Sequence, residues 1–244
     1  MIPLKARAVA RDWGRVEALF HRTLGSVCGQ TEPWFRVVVV GHDRPSTPLL
    51  ERPEVTWLKV SSPVPEGGRT ETAMEDKWLK VAEGLVMVGQ GRPVFVMIVD
   101  ADDLVSNRLA AHVRAHPNRH GWIIRKGYRY REGSPWVELD PEFNCGTNAI
   151  VAARQVRFPR SNTPEERAKC ILLCHGHTVI ERAMADEGRP LDELPFPGAV
   201  YVWGHGDNDS HRDGREGWRG LRYLLGKVRR SRPLTRRLRQ EFNL

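Results

Sequence analysis

The stretch that decides the fold is residues 93–107, PVFVMIVDADDLVSN. Its apolar run, 94–99, has the length and β-branched content of a buried strand, and it stops abruptly in Asp100, Asp102 and Asp103. Working outward, residues 35–40 (FRVVVV) and 55–60 read as two further buried strands. A helix is expected over 14–30, because Val16, Leu19, Phe20, Leu24 and Val27 recur on one face. Another is expected over 72–89, with Trp78, Val81, Ala82, Leu85 and Val88 facing inward. Between them lies the Pro/Gly-rich segment 61–69, a candidate lid. Strands alternating with helices of this length imply βαβ units and an α/β fold with a mixed, mostly parallel central sheet flanked by helices.

The second half differs in texture. Short strands are expected at 121–125, 128–130 and 148–152 as a small antiparallel addition, then a helix over 167–187 and a last strand over 199–203. The expected organisation is one domain over 1–210 followed by a basic tail over 211–244. The tail holds 11 Lys/Arg against 3 Asp/Glu, which leaves 27 against 27 in the first 210 residues, so the net charge of +8 is entirely the tail's. A nucleic-acid groove would place cations on the folded body, so nucleic acid is not an expected partner. Within the tail, 216–228 could form an amphipathic helix, with Trp218, Leu221, Leu225 and Val228 on one side and arginines around them. Such a stripe suits peripheral contact with an anionic membrane as well as docking on the body or simple solvation.

With 244 residues and 40% hydrophobic content, a sizeable core can form. The four cysteines, Cys28, Cys145, Cys170 and Cys174, are too few and too irregular for a disulfide scaffold, and no secretory signal or 18-residue apolar run is present. Cytoplasmic residence with reduced thiols is the expectation, with the inner face of a membrane as a peripheral site. Cys170 and Cys174 beside His175 and His177 lack the separated pairs of a structural zinc site and read as small buried thiols.

In open α/β sheets, ligands bind beyond the carboxyl ends of the strands, where Asp100, Asp102 and Asp103 are expected. Like charges this close raise one another's pKa unless a cation lies among them. A hard divalent ion, Mn²⁺ or Mg²⁺, held by one or two carboxylates together with substrate phosphates, relieves the conflict. The plainer expectation is that Asp102 and Asp103 cap a helix over 104–115. Capping leaves Asp100 unexplained.

Six motifs occur in order: IPLK (2–5), RTLGSVCGQT (22–31), VVVVGHD (37–43), DKWLK (76–80), VDADD (99–103) and FNCGTNAIV (143–151). Their order and spacing resemble the GT-A (Rossmann-like) glycosyltransferases, especially the family 2-like bacterial enzymes. The resemblance implies transfer of a sugar from a nucleotide-sugar donor to a glycan or other hydroxyl acceptor. It makes Asp102 the metal ligand, Asp100 the carboxylate nearer the ribose, and Asp103 an added acid at the metal water or the helix. It places Pro3 and Leu4 in the loop that cradles the base, Asp43 as the acid that reads the base, and Lys77 facing the nucleotide. Asn144, Gly146, Thr147 and Asn148, with Cys145 among them, correspond to the loop between donor sugar and acceptor.

Inverting members supply a catalytic carboxylate after that loop, and here the sequence departs: AKCILLCHGHTVIER carries His175 and His177 instead. Histidine serves as a base near neutral pH or as a metal ligand, and both roles are open. His205, in VWGHGDNDS, fits a third metal ligand from a late loop, and Asp140, Glu142 and Asp207 are further candidates for the base. A domain that binds nucleotide or glycan without turnover is the alternative reading. Phosphoryl transfer is disfavoured, since no Gly-x4-Gly-Lys-Ser/Thr loop is present.

Overall fold

The computed structural model describes residues 1–64, 70–174, 179–204 and 230–244. The chain opens with β1 (Ile2–Pro3) and then enters α1 (Trp13–Cys28), which Asp12 caps by accepting the Arg15 N–H at 3.1 Å. β2 (Val37–Gly41), β3 (Val55–Lys59) and α2 (Thr70–Gln90) follow, then β4 (Phe95–Met97) and β5 (Leu104–Val105). After α3 (Leu109–Ala115) come β6 (Gly121–Ile123), β7 (Gly127–Arg131), β8 (Trp136–Asp140) and β9 (Ala149–Ala152). Three short helices, α4 (Pro164–Arg167), α5 (Ile171–Cys174) and α6 (Ile180–Asp186), precede β10 (Asp192–Glu193) and β11 (Ala199–Trp203). β12 (Ser231–Pro233) and α7 (Arg236–Phe242) end the chain.

β1, β2 and β3 form a parallel ladder in the order β1-β2-β3, and β10, β6, β9 and β4 form a second in which β9 runs antiparallel to β4 and β6. Backbone bonds join the two ladders: Met1 donates to the Met97 carbonyl at 2.8 Å and accepts from the Val99 N–H at 2.9 Å. One residue bonded to residues two apart on its neighbour is the parallel pattern, so β4 lies beside β1 and the continuous order is β3-β2-β1-β4-β9-β6-β10. The chain leaves β1 toward β2 and β3 on one side and returns through α2 to β4 on the other. The strand order therefore reverses between β1 and β4, where an open α/β sheet offers its crevice.

Alternation along the strands sorts side chains to two apolar layers. Ile2, Leu4, Val37 and Val39 pack with Val16, Phe20 and Leu24 of α1, while Val96, Ile123 and Val151 pack with Val81 and Leu85 of α2. Gly84 sits where a Cβ would collide with Met1 and press on Val40, so α2 crosses β1 and β2 at close range. β12, β8, β7, β11 and β5 make a further mixed sheet over the core of Leu104, Tyr130, Val137, Val200, Val202, Leu234 and Phe242. The molecule is thus mixed α/β, with a larger antiparallel part than the sequence pattern announced.

Two expected helices are replaced. Residues 104–115 do not form one helix: Leu104 and Val105 pair antiparallel with β11, and α3 begins only at Leu109. The Val105 N–H goes to the buried Ser26 hydroxyl of α1 at 3.1 Å, which holds this segment extended. Asp102 and Asp103 therefore cap no helix. The helix expected over 167–187 is divided into α4, α5 and α6, with 175–178 outside the described residues. β8, with its Trp-Val-Glu-Leu-Asp alternation, adds a strand between the two expected at 128–130 and 148–152.

The boundary drawn at residue 210 and the helix expected over 216–228 lie outside the described residues, as do 65–69 of the lid segment. The last fifteen residues pack on the body. Phe242 is fully buried, its ring 5.7 Å from that of Tyr128, and Glu241 accepts from the Ser106 hydroxyl at 2.7 Å and from Arg108 at 2.9 Å. Among the described residues no helix is long and apolar enough to cross a membrane. Phe242→Ala is expected to cost about 3–5 kcal/mol, the usual loss for a buried aromatic. A urea midpoint within error of wild type would contradict this packing.

Candidate functional site

The crevice between β1 and β4 is where the acidic turn lies. α1 fastens it from below: the Thr23 hydroxyl donates to the Ala101 carbonyl at 2.9 Å, and Gln30 binds the Ser106 carbonyl at 3.0 Å and the Ala110 N–H at 2.9 Å. Thr23, Ser26, Gln30 and Thr31 of RTLGSVCGQT thus face the segment after β4, Arg22 pairs with Glu132, and the apolar members face the core. From the other side comes the loop before β9. The Thr147 hydroxyl accepts the Asp100 N–H at 2.9 Å and donates to Asp103 Oδ2 at 2.6 Å.

These bonds separate the three acids. Asp103 is 1% exposed, and its carboxyl faces Thr147 and the Cys145 thiol rather than the crevice. Burial, with Asp102 and Asp100 adding repulsion, pushes its pKa well above the usual carboxylate range. The same burial, with Asp103 and Asp100 nearby, raises the Cys145 thiol well above its ordinary value. Asp103 serves to brace the turn, in place of the metal-side role expected of it. Asp100 remains at the crevice, with its carboxylate 24% exposed and Oδ1 2.5 Å from the Lys77 ammonium of α2. Burial lowers the Lys77 pKa, but the charge and hydrogen bond of Asp100, with Asp103 and Asp102 behind it, carry it above the ordinary lysine value. Lys77 is therefore no freely solvated lysine. Asp102 is partly exposed on the turn between them.

Gly146 has a specific reason here: a Cβ at that position would occupy the space of the Asp100 carboxylate. Thr147, expected at the acceptor, is fully buried and committed to Asp100 and Asp103. Asn148 is buried and donates to the Asn144 side chain at 3.3 Å, and Asn144 itself is exposed. A cavity opens beside Lys77, lined by Trp78, Ile98, Gly146, Asn148, Leu172 and Ile180 among others. Leu172 and Ile180 belong to α5 and α6; His175 and His177, between them in the sequence, lie outside the described residues. His205 and Asp207 do so too.

On the β2 side, Asp43 accepts the Arg7 N–H at 2.8 Å, tying the loop after β1 to the end of β2. Pro3 and Leu4 are buried, and Leu4 bonds the Val40 carbonyl at 2.8 Å, so these two shape the crevice through backbone rather than side chain. Beneath them lies a buried pair that the motif reading passed over. Lys80, 1% exposed, is ion-paired to Asp76 one helical turn away, and His42 Nδ1 lies 3.9 Å from that carboxylate. Burial lowers the Lys80 pKa against the opposing pull of Asp76 and Asp43. The i,i+4 spacing in DKWLK was the available signal. Asp140 caps its own turn by accepting the Glu142 N–H at 3.1 Å, and neither it nor exposed Glu142 is a partner of Asp100 or Asp103.

Asp100 and Asp102 fit a hard cation: one carboxylate has a buried oxygen whose partner is an ammonium alone, and the other stands beside it toward solvent. Among the described residues no group of three His, Cys, Asp or Glu side chains converges as a cage.

No protein-family profile matches the chain, and no curated protein matches it. Among solved structures, that of S. aureus TarS residues 1–349 superposes with a TM-score of 0.43 at 14% identity, over 82% of this chain and 59% of that one. The chain spans about three fifths of that neighbour's length. At this distance the likeness carries no argument about the site, which rests on the chain's own residues.

Two outcomes follow from the bracing of the turn. Thr147→Val strands a buried N–H and a buried carboxyl and is expected to cost about 2–3 kcal/mol, with Thr147→Ser largely restoring it, as read by urea unfolding. For Asp103, whose folded pKa is raised, the folded state binds the extra proton. Stability is full below the ordinary carboxylate pKa and declines as pH rises from there toward the raised value. With a chelator present, Asp103→Asn should flatten that decline; an unchanged slope would contradict the assignment.

Proposed function

We propose that the chain is a metal-dependent glycosyltransferase, which moves a sugar from a nucleotide-sugar donor to a hydroxyl acceptor in the synthesis of a bacterial surface glycan or related polysaccharide. The observation that carries this reading is the placement of Asp100, with Lys77 and Gly146 against its carboxylate, at the reversal of strand order between β1 and β4. The resemblance of the motifs to GT-A enzymes implies Asp100 near the donor's ribose, Lys77 facing the nucleotide and Gly146 in the loop between donor sugar and acceptor.

Asp100 and Asp102 would hold Mn²⁺ or Mg²⁺, which supplies Lewis-acid stabilisation of charge on the departing nucleoside diphosphate. The chain's own groups do the rest. Asp43, as an acceptor of hydrogen bonds, suits a base that presents N–H groups, and its bond to the Arg7 N–H steadies the loop after β1 that would flank that base. The Lys77 ammonium lies where phosphate oxygens would gather and adds positive charge to that field. Asp103, turned into the interior and bonded to Thr147, keeps the turn in place. The small cavity walled by Trp78, Ile98, Leu172 and Ile180 adjoins Gly146 and Lys77 at the edge of this site. His175 and His177 are the proposed bases for the acceptor hydroxyl, and His205 the proposed third ligand.

Release of nucleoside diphosphate from a panel of nucleotide sugars, with Mn²⁺ or with chelator, tests the reading. Divalent-dependent release is expected, and Asp102→Asn should lower it by at least about a hundredfold, the scale of losing one charge-stabilising group in a closed site. Saturable binding of a nucleotide sugar without release would instead favour a nucleotide- or glycan-binding domain.

A further inference from the structure

Trp78 walls the small cavity at Lys77 and Gly146, and it also lines a larger one, of about 240 Å³, together with Glu75, Arg167 and Leu173. Glu75 and Trp78 stand three residues apart on α2 and so share a face of that helix, while Arg167 and Leu173 come from α4 and α5. The indole therefore links this second cavity to the crevice that holds Asp100, and the Lys77 ammonium lies 5.8 Å from its ring. Arg167 sits on a fixed backbone. The Thr163 hydroxyl caps α4, and the Arg167 carbonyl accepts from the Cys170 N–H at 3.0 Å and from the Cys174 thiol at 3.4 Å. Among the described residues neither the Glu75 carboxylate nor the Arg167 guanidinium has an ion-pair or hydrogen-bond partner, although the two line one cavity.

Opposite charges that face one space without pairing select what fits between them. An anion would gain from Arg167 but be repelled by Glu75, and a cation would meet the reverse. A neutral polyol satisfies both side chains, because each hydroxyl can donate to a carboxylate or accept from a guanidinium. The indole of Trp78 and the Leu173 side chain supply apolar surface on which the C–H face of a sugar ring packs. Apolar walls with a few convergent polar groups are the usual make-up of a small-molecule site. We infer that this cavity is a saccharide subsite, in which one neutral pyranose unit of the acceptor stacks on Trp78, donates a hydroxyl hydrogen bond to Glu75 and accepts one from Arg167. This rests on the glycosyltransferase reading above and gives its acceptor a chemical class, an uncharged glycan. Because Trp78 also borders the cavity beside Lys77, the stacked unit lies next to the donor site and uses none of the carboxylates assigned to the ion.

The test presents the labelled full chain to a printed array of neutral and uronate-bearing oligosaccharides of glucose, galactose and N-acetylhexosamines, and follows nucleoside diphosphate binding with Mn²⁺ by calorimetry as a separate measure of the donor site. Neutral pyranosides should be bound. Glu75→Ala and Arg167→Ala should each weaken that binding on the order of tenfold, the scale of a hydrogen bond to a charged group. Saccharide binding unchanged in both variants, or none in the wild type while nucleoside diphosphate binds, overturns the inference and leaves the donor-site reading intact. Selective binding of the uronate-bearing members, lost in Arg167→Ala and strengthened in Glu75→Ala, overturns the neutral class. Saccharide binding that both variants weaken, in a chain that binds no nucleoside diphosphate, upholds the subsite and overturns the donor-site reading. A measurement on the wild-type chain needs no variant to fold: hydroxyl-radical footprinting mapped by mass spectrometry should oxidise Trp78 more slowly with the bound saccharide than without it. Unchanged oxidation of Trp78 at saturation contradicts stacking.

Discussion

The bond on which the site depends is the one from the Thr147 hydroxyl to the buried Asp103 carboxyl. A strand that ends in several acids cannot bury that end unless the charges are neutralised or turned outward. Here one hydroxyl turns the two acids apart: it donates to the buried Asp103 carboxyl and receives the Asp100 N–H, so the first acid is aimed at the crevice and the last is kept in the interior. The carboxylates are therefore unequal despite standing within four residues of each other. A buried acid braces the turn, a paired carboxylate lines the crevice, and Asp102 stands partly exposed between them.

The surrounding motifs acquire physical meaning from this turn. α1 supplies Thr23 and Ser26 as buried donors and acceptors, and Gln30 beyond its end reaches the same segment, so a helix whose apolar stripe looks ordinary also holds the residues after β4 in an extended path. The loop at 143–148 approaches so closely that residue 146 must be glycine. α2 brings Lys77 to the crevice and buries the Asp76–Lys80 pair behind it. Burial of such a pair gives little net stability, but removal of either partner strands a charge. The C-terminal residues add a last clasp, since Glu241 bonds Ser106 and Arg108 just past β5. A segment rich in arginine is thus, over 230–244, part of the framework that carries the acidic turn.

Much of the site was legible because its chemistry resides in short motifs. The acids after the 94–99 strand were readable from residue type and position, while the glycine in FNCGTNAIV and the lysine of DKWLK were singled out by the resemblance of the motifs. What was illegible depended on partners distant in sequence. Whether Asp103 caps a helix or is buried against Thr147 turns on a loop 44 positions away. Whether residues 104–115 begin as helix or strand turns on Ser26 and on β11, neither of which a local pattern can include.

The sequence by itself determined the parallel α/β half: apolar runs of strand length, helices with one apolar face, and an acidic stop at a strand end are local statements, since period and burial are written into consecutive residues. Tertiary structure alone decided the roles within the acidic turn, the extended path of 104–105, and the return of the C-terminus to the core. The physical reason is that burial and pairing set a carboxyl group's charge, and both are properties of the neighbours that folding brings to it rather than of the residues beside it in the chain.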